Sequence, residues 1–193
     1  SVLALNFTGD SRRILDSARP AYSLEASDDF NNGENLKRWT STGNVVYSGT
    51  DVRVSSASGS DNTARITHQI NATEKDFDIY VDIDIVQWAY NTQGFGSTDL
   101  EITIDGIRYR VRRYNSATGG NKISFQDVRG GEEAADSTWT TGKLRMKRVG
   151  TTLTAYYDSG SGWTQIGTGT NVSGNSTDLF LGSRTAISGG NFG

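Results

Sequence analysis

Cysteine is absent from the 193 residues, and methionine, histidine and proline each occur once. Without cysteine there is no disulfide framework, no thiolate metal site and no thiol nucleophile. With His68 alone, a zinc site built on two histidines is excluded. A Ser-His-Asp triad would have to use His68, and no Gly-x-Ser-x-Gly elbow is present. His68 shares a strand face with Ile66 and Ile70, so a packed, hydrogen-bonded histidine is expected. No apolar run approaches the roughly 18 residues that a membrane helix needs. Surplus positive charge is also missing: the net charge is −3, so no global basic field favours nucleic acid. Gly119-Gly120-Asn121-Lys122 lacks the spacing of a phosphate-binding loop.

Glycine, at 23 residues, is well above the usual ~7%, while hydrophobic residues make up only 34%. Many turns and thin elements follow. Periodicity, where it occurs, is two residues long. In 77–85, Phe77, Ile79, Val81, Ile83 and Ile85 alternate with Asp78, Tyr80, Asp82 and Asp84. Similar alternation marks 44–55, 64–70, 99–113, 121–128, 143–149, 151–158 and 178–183, separated by Gly, Ser, Asn, Asp and Thr clusters. Short strands punctuated in this way predict an all-β, antiparallel sandwich or barrel.

One hairpin can be read residue by residue. Asp105-Gly106 suits a two-residue turn in which both central residues have positive φ. It pairs Ile104 with Ile107, Ile102 with Tyr109 and Leu100 with Val111 on the buried face. On the other face Glu101 opposes Arg110, Asp99 opposes Arg112 and Thr103 opposes Arg108, and these are expected to be solvent-exposed ion pairs. Arg113 and the Lys143, Arg145, Lys147 row read the same way. A second hairpin turns at Gly150-Thr151, with Leu144 and Met146 facing inward against Tyr157 and Ala155, and Lys143 opposite Asp158. Arg148 interrupts that inward row.

Several segments carry a family resemblance. Asp28-Asp29-Phe30 with Leu36-Lys37-Arg38-Trp39, the strand Asp76–Asp84, and the late pair Gly142–Arg148 and Thr152–Asp158 followed by Gly162-Trp163-Thr164 occur in order. Together they resemble the laminin-G-like domains of the concanavalin A-like lectin/glucanase superfamily. The resemblance implies a two-sheet antiparallel jelly-roll sandwich over 28–193, with residues 1–27 as an arm or linker able to contribute a strand. It also implies carbohydrate binding on the concave face or rim loops, sometimes with calcium. Such domains close with one more strand than 188–193 supplies. That strand is expected from Val2–Phe7, from a neighbouring chain, or from residues beyond those given. An unclosed edge would favour a homo-oligomer or an assembly partner.

Laminarinase-type glucanases of the superfamily carry Glu-x-Asp-x-x-Glu, one carboxylate as nucleophile and one as general acid. The matching stretch is Asp82-Ile83-Asp84-Ile85-Val86-Gln87, where Gln87 cannot act as an acid, so no catalysis is expected. For sugar binding the candidates are Asp82, Asp84, Gln87, Trp88, Tyr90 and Asn91. Rings stack on sugar C–H faces, while amides and carboxylates bind hydroxyls. Trp39, Trp139 and Trp163 are expected in the sandwich core or at its rim. For calcium the candidate ligands are Asp51, Asp61 and Asn62, or alternatively Asp127, Glu132 and Asp136.

The resulting expectation is a non-catalytic carbohydrate-binding or adhesion domain, extracellular or surface-displayed, whose partner is a glycan or cell-surface polysaccharide. The alternative is a structural component of an extracellular assembly or virion, of tail or capsid-decoration type. A glucanase ranks third.

Overall fold

A computed structural model describes residues 2–6, 39–47, 51–55, 62–69, 76–87, 94–117, 119–127, 132–167 and 170–187. In chain order the strands are β1 (Val2–Asn6), β2 (Trp39–Thr42), β3 (Asn44–Tyr47), β4 (Asp51–Ser55), β5 (Asn62–Gln69), β6 (Phe77–Gln87), β7 (Gly94–Ile104) and β8 (Ile107–Ser116). They continue with β9 (Gly120–Asp127), β10 (Glu132–Asp136), β11 (Thr141–Val149), β12 (Thr152–Asp158), β13 (Thr164–Gln165), β14 (Thr170–Asn171) and β15 (Ser176–Ile187). No helix occurs among the described residues, so none is long and apolar enough to cross a membrane.

The strands form two antiparallel sheets. The first has eight strands in the order β13-β12-β11-β6-β1-β4-β3, with β14 also on β12. The second has seven, in the order β10-β9-β8-β7-β15-β5-β2. Alternation explains the layering, because successive side chains on a strand point to opposite faces. Val81, Ile83 and Ile85 of β6, Leu144 and Met146 of β11, and Leu153 and Ala155 of β12 enter the core from the first sheet. Ile66, Leu100, Ile102, Ile104, Tyr109, Val111, Phe125, Leu179 and Leu181 meet them from the second. Burying each large apolar side chain contributes about 1.5–3 kcal/mol.

Both hairpins have the expected registers. Ile104 faces Ile107, Glu101 faces Arg110 and Asp99 faces Arg112 in β7–β8, and Leu144 faces Tyr157 in β11–β12. Asp105 and Gly106 have φ of 51° and 74°, as a two-residue turn of this kind requires. The first strand lies between β4 and β6, with Leu5 opposite Val52 on one side and Ile83 on the other. Residues 7–38, which include the opening segment Asp28–Phe30, fall outside the described residues, as does 188–193.

Three expectations about charge are corrected. The polar face of the β7–β8 hairpin is buried: Asp99, Glu101, Arg110 and Arg112 are each less than a tenth exposed. Long side chains cover one another there. The Arg112 guanidinium sits over the rings of Phe95 and Tyr114, 5.1 and 4.8 Å from their centroids, and its Nε donates to Ser124 Oγ. Glu101 lies 3.5 Å from Arg110, and burial, reinforced by Asp99, pushes its carboxyl above the ordinary range. Arg113 belongs to the core-facing row, not to a solvent-exposed ion pair. It donates to the carbonyls of Trp139, Tyr114 and Lys122 and to Asn121 Oδ1, and burial lowers it to about 10. Arg148 does not spoil the inward row. Its Nε, Nη1 and Nη2 donate to the carbonyls of Gly150, Gly174 and Val172, so a buried cation closes one end of the core. His68 is half-buried and packs on Trp39, 5.3 Å between centroids.

Candidate functional site

The same alternation that sends Val81, Ile83 and Ile85 inward turns Asp78, Tyr80, Asp82 and Asp84 to the outer face of the first sheet. Register then assembles a site on that face. Tyr80 lies opposite Arg145, which lies opposite Tyr156, and Asp82 lies opposite Lys143, which lies opposite Asp158. Directly opposed residues share a face, so β6, β11 and β12 present these six side chains together.

Trp163 joins them through a loop built for the purpose. After β12, the Oδ1 of Asp158 accepts hydrogen bonds from the amides of Gly160 and Gly162, at 2.7 and 2.9 Å. Both glycines have positive φ, 104° and 97°, which a side chain would resist. The turn swings Trp163 back so that its ring stands edge-on to Tyr80, with centroids 6.0 Å apart and planes at 66°. Both rings are 38% exposed. Trp163 thus stands at the rim, beside the edge strand β13, rather than in the core. Trp39 is core, and Trp139 packs half-buried against it.

Charged groups hold the rings in place. Arg145 lies over Tyr156 and Trp163, 5.4 and 5.1 Å from their centroids. Its Nε donates to Asp78 Oδ1 at 2.6 Å and its Nη2 to Asp78 Oδ2, a two-point clasp that fixes the guanidinium plane. The hydrogen bond to Asp78 also raises the affinity of Arg145 for its proton. Lys143 Nζ sits 3.0 Å from Asp82 Oδ1 and 5.6 Å from the Tyr80 centroid. Partial burial pushes the Asp82 carboxyl up, Lys143 opposes this, and Asp158 adds to it. The hydrogen bond to Asp82 raises the Lys143 ammonium in turn. Asp84 accepts a hydrogen bond from Thr141 Oγ1 at 3.1 Å.

Of the expected sugar-binding residues, the structure places Asp82 and Asp84 on this face. Gln87 ends β6 with its side chain outside the described residues, and Trp88, Tyr90 and Asn91 lie outside them altogether. Tyr80, Arg145, Tyr156 and Trp163 were not anticipated as site residues. The signal for them lay in the two-residue period joined to cross-strand register. Among the expected calcium ligands, Asp51 opens β4 in the first sheet and Asn62 opens β5 in the second. Their side chains, and Asp61, are outside the described residues. Asp127 ends β9 and Glu132 opens β10. Asp136, at the other end of β10 and about 13 Å away along the strand, is bound to Lys122 at 2.6 Å. Among the described residues no group of three or more potential metal ligands occurs.

No protein-family model and no curated protein matches the sequence. Solved structures do match in three dimensions. The apo Crh5 transglycosylase superposes with a TM-score of 0.55 at 13% identity, covering 81% of this chain and 67% of that one. The VIP36 exoplasmic/lumenal domain, in a Ca2+/Man2-bound form, gives 0.54 at 13% identity, covering 82% and 77%. The CBM2 module of the evolved Dit of Lactobacillus casei BL23 phage J-1 gives 0.52 at 12% identity, covering 85% and 95%. At such identities the likeness concerns the fold alone. It is a two-sheet antiparallel β-sandwich, the architecture expected from the ordered segments.

Proposed function

We propose that this concanavalin A-like sandwich is a non-catalytic carbohydrate-binding or adhesion module, exposed on the outside of a cell or particle, that holds a glycan on the outer face of its first sheet. One observation carries the reading: Tyr80 and Trp163 stand exposed with their planes at 66°, fixed by the Asp78–Arg145 clasp and flanked by the Asp82–Lys143 pair. An isolated exposed aromatic is ordinary. Two large rings held rigidly beside paired donors and acceptors form the apolar-plus-polar mixture that orients a sugar. Fold alone decides nothing here, because the same sandwich serves enzymes, lectins and spacers.

The carboxylates argue for binding over hydrolysis. A retaining glycosidase needs two carboxyl groups about 5–5.5 Å apart, one free to attack and one protonated. Asp82 is engaged by Lys143, Asp84 by Thr141, and the third position of the motif is Gln87. The virion-component reading draws on a phage neighbour of 12% identity, a likeness of fold, and so stands second. Calcium enters through Asp51, Asp61 and Asn62 if binding requires it.

A glycan array probed with the wild-type chain and Trp163→Ala, with and without calcium, tests the proposal. Hits lost in the variant support it. Absence of any hit, together with a stable multimer or filament in light scattering, would transfer the assignment to a structural role. Release of reducing ends from β-glucans, lost in Asp84→Asn, would transfer it to a glucanase.

A further inference from the structure

On the reading that this face binds glycans, its charges and ring planes also say which kind. We infer that the site takes an uncharged, soluble glycan, as a single chain or chain end, and rejects both polyanionic polysaccharides and crystalline polysaccharide surfaces.

Charge argues against polyanions. On β6, β11 and β12 the face carries the carboxylates Asp78, Asp82, Asp84 and Asp158 against the cations Lys143, Arg145 and Lys147, so acidic groups outnumber basic ones on these three strands. Two of the three cations are also engaged. Arginine recognises carboxylate or sulfate through a two-donor edge, and Arg145 directs the Nε–Nη2 edge to Asp78 while its Cζ lies over the rings of Tyr156 and Trp163. Lys143 is held by Asp82, and Lys147 stands opposite Asp78. A uronate or sulfate approaching Arg145 or Lys143 would bring its charge beside the Asp78 or Asp82 carboxylate that already neutralises that cation. Repulsion of this kind is what excludes a wrong ligand. A hydroxyl meets no such penalty. It donates to Asp82 or accepts from Lys143 without disturbing the pair.

Ring geometry argues against crystalline surfaces. A flat polysaccharide sheet is gripped by coplanar rings, whereas Tyr80 and Trp163 meet at 66° with centroids 6.0 Å apart. Only one of them can lie flat on a plane. A corner of that shape instead accepts a single sugar ring, with its C–H face on one aromatic and its rim toward the Asp82–Lys143 pair beside Tyr80.

The test uses the full chain against three probe classes: neutral soluble polysaccharides (a mixed-linkage β-glucan, a galactomannan, a xyloglucan), polyanions (polygalacturonate, heparin), and crystalline cellulose and chitin. Binding is read by affinity electrophoresis and sedimentation pull-down at low and physiological salt. The inference expects binding to a neutral soluble probe, insensitive to salt and weakened about tenfold or more in Trp163→Ala, a loss of ~1.4 kcal/mol. Asp78→Asn, which releases Arg145, is expected to gain salt-sensitive polyanion binding. Trp163-dependent binding of the wild-type chain to a polyanion or a crystalline surface would overturn the inference and leave glycan binding standing. So would Asp78→Asn that folds yet gains no polyanion binding. No binding to any class would overturn the glycan reading itself, and the inference with it.

Discussion

Arg148 offers the sharpest test of how the sandwich is closed. It occupies a core-facing position of β11, in line with Leu144 and Met146, and is 1% exposed. Its guanidinium binds the Gly150 carbonyl at 3.0 Å, Gly174 at 2.9 Å and Val172 at 3.4 Å, tying the β11–β12 turn to the segment that leads into β15. Replacement by methionine keeps most of the volume and removes the charge. Charge-assisted hydrogen bonds are worth about 1.5–3 kcal/mol each. The two shorter bonds therefore put the gross loss at roughly 3–6 kcal/mol. Relief from holding a buried cation offsets a few kcal/mol of this. A net cost of about 1–3 kcal/mol is expected for Arg148→Met, or roughly 2–12 °C in Tm for a domain of this size. Urea unfolding followed by tryptophan fluorescence, with thermal melts, measures it. Val149→Ala, at a neighbouring residue that is 54% exposed, serves as the control and should stay within about 0.5 kcal/mol. An Arg148→Met protein as stable as the wild type would refute the claim that the cation holds this end of the core together.

Three further outcomes are expected. Gly106→Ala should cost about 1 kcal/mol in chemical denaturation: its φ is 74°, and an added Cβ would meet nothing within 4 Å, so the backbone alone sets the penalty. A neutral result would show that the turn relaxes. Asp158→Ala should weaken glycan binding several-fold in calorimetry while shifting Tm by only a few degrees, because it frees the loop that carries Trp163 without touching the core. Unchanged affinity would mean that the loop holds itself. For pH, Glu101 and Asp82 both have folded values raised by burial, so the folded chain binds more protons than the unfolded one between the ordinary and raised values. Stability should therefore fall as pH rises through that window, with the full cost present above it. Glu101→Gln should flatten the fall of Tm with pH, and an unchanged profile would contradict the assignment.

Local pattern carried much of the fold. The alternation in 77–85 is β6, and Asp105-Gly106 sets every pair of the β7–β8 ladder. What local pattern could not convey was where a charged side chain goes when its neighbours can cover it. Arg110, Arg112 and Arg113 read as surface residues, and Arg148 as an interruption of the inward row, because the pattern equates charge with solvent. Each is buried because its planar guanidinium finds rings or acceptors: Phe95 and Tyr114 for Arg112, backbone carbonyls for Arg113 and Arg148. The site was legible in part for a similar reason. Asp82 and Asp84 stand out from alternation alone. Arg145 facing Tyr156 already follows from the second hairpin's register, yet Tyr80 joins them only once β6 is known to lie beside β11. Sheet order is a non-local fact. Trp163 depended on a five-residue turn whose geometry, set by Asp158 and two glycines of positive φ, has no periodic signature.

The central claim is that the glycan lies on the outer face of β6, β11 and β12. Titrating the isotope-labelled protein with an array-positive oligosaccharide and following amide and aromatic-side-chain resonances tests it directly. The account predicts saturable shifts at Tyr80, Asp82, Lys143, Arg145, Tyr156 and Trp163, with the buried Asp99, Glu101 and Arg112 of the second sheet undisturbed. Shifts confined to Trp88, Tyr90 and Asn91, or to the outer face of the second sheet, would contradict it.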